Sequence, residues 1–169
     1  MRRTTLVSVA LLAGLSLAGC SDSTTTPEET ATTEATATAE ASAEITSCEA
    51  YYEGTGTPLA QRAAAARQAL TAGEVTDDVA YGEINMLEQR ISDLAEEAPE
   101  ALAGTFEEIN APFAETVELY NAAAAQDPPE GEEAPAFADF SAVDVSGSEA
   151  AEGELETACT DAGYEVPAS

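Results

Sequence analysis

The chain has 169 residues, with 33 acidic and five basic side chains, no histidine and a formal net charge of −28. All five bases are arginine (Arg2, Arg3, Arg62, Arg67 and Arg90), which excludes Ser-His-Asp and Cys-His dyads, imidazole metal ligands, Schiff-base lysines and a P-loop Gly-Lys; a Gly-x-Gly-x-x-Gly fingerprint is also missing. So acidic a surface repels nucleic acid, whose phosphates are bound through Lys and Arg, and it repels anionic lipid headgroups.

Arg2 and Arg3 open the chain, and Leu6 to Leu17 (LVSVALLAGLSL) follows as an uncharged apolar run. The run is too short to span a bilayer, which takes roughly 20 apolar residues. Small residues come next, so residues 1–19 read as a targeting segment rather than part of the fold. At its end, Leu17-Ala18-Gly19-Cys20 resembles the lipobox of bacterial lipoproteins. The resemblance covers the first 20 residues. It implies cleavage between Gly19 and Cys20, thioether diacylglycerol on Cys20 and often a third acyl chain such as palmitate on the new amine. Two acyl chains give stable attachment, at about 0.8 kcal/mol per buried CH₂. The expected location is therefore the outer face of the cell membrane. Arg2-Arg3 also admits a twin-arginine route, but Thr4-Thr5-Leu6 fits it loosely, and the general secretory route is preferred. Arginine without lysine, with abundant Ala, Thr and Glu, is similar to actinobacterial surface lipoproteins. Removing the two signal arginines leaves three cations against 33 acids, a mature formal charge of −30.

Residues 20–44 start at the lipidated cysteine and continue as SDSTTTPEETATTEATATAEASAE, with no aromatic or large aliphatic side chain. Such a segment cannot bury enough apolar surface to offset chain entropy, and it reads as a disordered tether. Its root-mean-square span would be roughly 25–30 Å, lengthened by repulsion between glutamates. Its Ser/Thr content with Pro27 also permits O-glycosylation.

Residues 45–169 suffice for one small domain, and their periodicity is helical, giving an all-α antiparallel bundle of about four helices. The first runs 58–72, with Thr57 as cap, Pro58 at the first position, Gly73 at the end and Leu59, Ala63, Ala66 and Leu70 as its stripe. The second, 77–97, carries a heptad-like seam of Ala80, Ile84, Leu87, Ile91, Leu94 and Ala98 behind Asp77 and Asp78. The third, 99–126, presents Leu102, Phe106, Ile109, Phe113, Val117, Tyr120 and Ala124, with a kink or break expected before Pro112. A Pro/Gly-rich acidic loop over 127–145 leads to the fourth, 147–162, where Ser146-Gly147-Ser148-Glu149 fits a capping box and Ala151, Leu155, Ala158 and Ala162 form the stripe.

Arg62, Arg67 and Arg90 flank these stripes on ideal helical wheels and are expected to pair with glutamates across the seams, at about 0.2–1 kcal/mol for each exposed pair. With Cys20 lipidated, Cys48 and Cys159 are the only cysteines left, and in an oxidising compartment they are expected to form a disulfide from the start of the domain to its last helix. They lack a C-x-x-C spacing or a neighbouring cation that would suit a redox pair.

No catalytic residue, cofactor site or metal ligand is assigned. The leading functional reading is a non-enzymatic surface module, expected to be monomeric, that meets an envelope protein partner. Tyr51, Tyr52, Phe137 and Phe140 are candidate contacts, against the plainer reading that these rings cover the core. A second class is Ca²⁺ binding through Glu130, Glu132, Glu133 and Asp139, which supply oxygen ligands without EF-hand spacing. A third is a carboxylate-only hydrolase, disfavoured because a chain with no Trp offers little for a sugar to stack on.

Overall fold

The computed structural model of the protein describes residues 31–125 and 137–168. Five helices follow in order: α1 (Ala31–Tyr52), α2 (Leu59–Ala72), α3 (Asp78–Glu97), α4 (Glu100–Ala124) and α5 (Ser146–Asp161), with no strand among the described residues. Four of the five match the expected elements within one or two residues; α1 is the addition.

Residues 31–44, expected in the disordered tether, are helical. The cause lies further along the same helix. Ser47, Cys48 and Tyr51 are buried, so its last two turns are fixed by packing. Once that nucleus exists, each preceding residue adds a hydrogen bond without a new nucleation cost, and alanine favours this extension. The earlier part of the expected tether, like the expected targeting segment, lies outside the described residues.

α2 opens on Pro58 without a side-chain cap, so Thr57 does not cap it; it closes on Gly73 in the left-handed region (φ 68°), whose N–H bonds back to the last turn. Asp77 caps α3, its carboxylate accepting from Val79 N and Ala80 N at 2.9 Å each. Ala98 and Pro99 are extended and turn the chain sharply into α4. The short turn makes α3 and α4 antiparallel neighbours, and this pair forms the most extensive packing in the bundle, followed by α4 with α5.

α4 runs unbroken through Pro112. The ring removes one backbone donor, yet the flanking positions Ile109, Asn110 and Phe113 are all buried, so the neighbouring helices hold this stretch in place. The buried face then drifts to Thr116, not Val117, and the Thr116 hydroxyl donates to the Pro112 carbonyl at 2.7 Å. Ser146 is the first residue of α5 and not its cap. Its N–H is held by the Asp144 carboxylate at 2.9 Å, an Asx-type turn in place of the expected box.

The core is continuous. Leu87, Ile91, Leu102, Phe106, Ile109, Phe113 and Leu155 are fully or nearly fully buried, joined by Tyr51 from α1 and Phe140 from the segment before α5. Each such side chain contributes roughly 1.5–3 kcal/mol by leaving water.

Candidate functional site

The polar centre of the bundle is built from four helices. Arg67 is in phase with Leu59, Ala63 and Leu70, and so it occupies the buried stripe of α2 instead of flanking it; it is 5% exposed. Its guanidinium donates to the Glu152 carboxylate and, at 3.3 Å, to the Ser148 hydroxyl, both on α5. The Ser148 hydroxyl in turn donates to the Ile109 carbonyl of α4 at 2.7 Å. The other oxygen of Glu152 accepts from the Tyr51 hydroxyl of α1 at 3.0 Å. Burial raises the Tyr51 pKa far above the ordinary phenol value, and the negative charge of Glu152 raises it further. The phenol therefore stays protonated and serves as a donor.

This arrangement satisfies a buried cation with a carboxylate and a hydroxyl. Both oxygens of Glu152 are engaged, so the cluster ties α1, α2, α4 and α5 together. Only one sequence signal could have revealed it: of the three arginines in the domain, Arg67 is in step with the apolar stripe. Ser148 and Glu152 gave none, since their role depends on where α5 docks.

A second cluster grips the end of α1. Cys48 and Cys159 form the expected disulfide, with Cα atoms 5.9 Å apart and both residues fully buried. After α5, Gly163 takes φ 96° and folds the chain back. Tyr164 then stacks on Tyr52, ring centroids 6.1 Å apart, and donates to the Glu53 carboxylate at 2.8 Å. Burial first, then the bond to Glu53, pushes the Tyr164 hydroxyl up to about 12. Tyr52 is raised as well, mainly by burial; its buried hydroxyl has no hydrogen-bond partner among the described residues.

A third group lines up Tyr81, Tyr120, Phe137 and Phe140. Tyr81 and Tyr120 stack with centroids 3.6 Å apart, and the Tyr120 hydroxyl donates to Asp78 at 3.0 Å. Phe137 bridges from Tyr120 to Phe140. Of the rings offered as contact residues, Tyr51 and Phe140 are buried, and Tyr52 and Phe137 pack partly buried against the core, so they cover the core and do not form a free contact surface.

Arg62 reaches Glu83 across α2 and α3 at 3.4 Å, as expected, over an apolar groove of about 260 Å³ lined by Ala65, Ala66, Ala69, Val75, Ile84 and Leu87. For Arg90 no ion pair is found among the described residues. Gly19 and Cys20, the expected cleavage and lipidation positions, lie outside the described residues, as do Glu130, Glu132 and Glu133. Asp139 instead accepts from Ser141 N at 2.9 Å, a bond that lowers its pKa. Among the described residues no group of acids, cysteines or histidines is placed to hold a metal ion, and no helix is long and apolar enough to cross a membrane. No protein-family model, curated protein or solved structure matches the chain.

Proposed function

We propose that the chain is an exported lipoprotein, held at the outer face of the cell membrane by acyl chains on Cys20, whose helical domain is a non-enzymatic binding module for an envelope partner. The observation that carries the reading is Leu17-Ala18-Gly19-Cys20 closing a basic and then apolar leader. The Cys48–Cys159 disulfide agrees with it, because such bonds persist in oxidising, extracytoplasmic compartments. Binding in preference to catalysis rests on the residue inventory, which holds no histidine and no lysine. It also rests on the buried polar cluster, whose ionic groups are spent on joining helices.

The test is Cys20→Ala in cells fed a labelled fatty acid. The unaltered chain is expected to carry the label and sediment with membranes; the variant should lose the label and leave the membrane fraction. Equal membrane retention of the two without label on either would defeat the anchor. Crosslinking on intact cells then identifies whatever the domain touches.

A further inference from the structure

We propose that α3 is the contact face of a symmetric dimer, in which a second copy of this chain packs antiparallel across Gly82. Val79 and Met86 are the large hydrophobic side chains left exposed among the described residues, 78% and 49% respectively, and both lie on α3. With Glu83 and Arg90 they recur in steps of four, three and four, and so share one stripe of the helix. That stripe borders the apolar groove between α2 and α3. Gly82 lies beside it, one turn before Met86, and a Cβ there would meet nothing, so a neighbouring backbone can approach closely along this edge.

The stripe is self-complementary in one orientation. Val79 and Met86 are equidistant from the point between Gly82 and Glu83. A two-fold axis through that point sets Val79 against the partner's Met86, and Met86 against the partner's Val79, as an isologous contact requires. The same axis carries Arg90 toward the acids at the start of the partner's helix, the partner's Glu74, the partner's Asp77 and the partner's Asp78. A parallel pairing would instead set arginine against arginine and acid against acid.

Charge also favours a second copy on this face. Arg62 and Arg90 are the two domain arginines not buried, and both lie along the α2–α3 pair. Glu83, at the crossing, is already paired with Arg62. A strongly acidic chain therefore meets its like with least repulsion here, which sets aside the monomer expected from net charge alone. The inference is independent of the lipid anchor.

The test uses the full-length chain with Val79→Cys and Met86→Cys, mildly oxidised in its membrane or detergent extract. Seven residues separate the two positions by about 10 Å along the helix, beyond the roughly 4.4–6.8 Å between Cα atoms that a disulfide needs. Any bond between them therefore joins two chains. A dimer on a non-reducing gel is expected from the double variant and little from Val79→Cys alone, since the axis keeps like positions apart. No dimer from the double variant, equal dimer from the single one, or a bond to a different protein would overturn the inference. As a measurement free of new cysteines, light scattering of the unaltered chain should give twice the chain mass. Val79→Asp should weaken that association at least about tenfold, because the lost anchor is used twice. A single-chain mass at every concentration would equally refute it.

Discussion

Replacing Glu152 by alanine removes the one carboxylate paired with the buried Arg67 among the described residues, and the acceptor of the Tyr51 hydroxyl. Arg67 is 5% exposed, so its charge cannot turn to water without local unfolding. Breaking one partner of a buried pair costs about 3–5 kcal/mol. Against a whole-domain stability of about 5–15 kcal/mol, that is a large fraction. With a urea dependence of about 1–3 kcal/mol per molar, the midpoint should fall by roughly 2 M. The assay is urea unfolding followed by circular dichroism with the disulfide intact. The triple variant Tyr51→Phe, Arg67→Met, Glu152→Leu should recover most of the loss, because apolar groups of similar volume replace a buried pair at little or no net cost. A loss under about 1 kcal/mol for Glu152→Ala, or no recovery in the triple variant, would refute the claim that the pair is desolvated and interdependent.

Three further outcomes are expected. Converting Cys48 and Cys159 to alanine should destabilise the fold by about 2–5 kcal/mol, read as a lower urea midpoint, since the bond closes a loop over a sequence separation of 111. Tyr164 has its pKa raised from 10.0 to about 12, so the stability it contributes is complete below pH 10 and is lost as pH rises toward 12. Thermal unfolding across that range should show the decline, with Tyr164→Phe flattening part of it. Asp77→Ala should cost about 0.5–2 kcal/mol by leaving the Val79 and Ala80 N–H groups without their acceptor, measurable as a drop in the melting temperature.

Four helices were legible in the sequence because their stripes, prolines and end glycines are local signals. Leu59 to Leu70 and Ala80 to Leu94 repeat at helical spacing, and Gly73 ends its helix in the conformation a glycine adopts most easily. The disulfide was legible by elimination, because an expected lipid on Cys20 would leave one pair. What failed were the inferences that needed a neighbour. Thr57 and Ser146 looked like caps, but Pro58 and Asp144 do the local work. Pro112 looked like a break, but buried flanking residues carry the helix through it.

By itself, then, the chain determined its class, its acidic surface, its cysteine pairing and the periodic faces of α2 to α5, since composition and helical spacing are properties of neighbouring residues. Tertiary structure alone decided that Arg67 is an interior residue, that Ser148 and Glu152 receive it, and that α1 extends back to Ala31. Each of those outcomes depends on residues brought together over 81 to 111 positions by docking of α1 and α2 on α5. No local pattern encodes such a meeting, because it arises only when several stripes are buried at once.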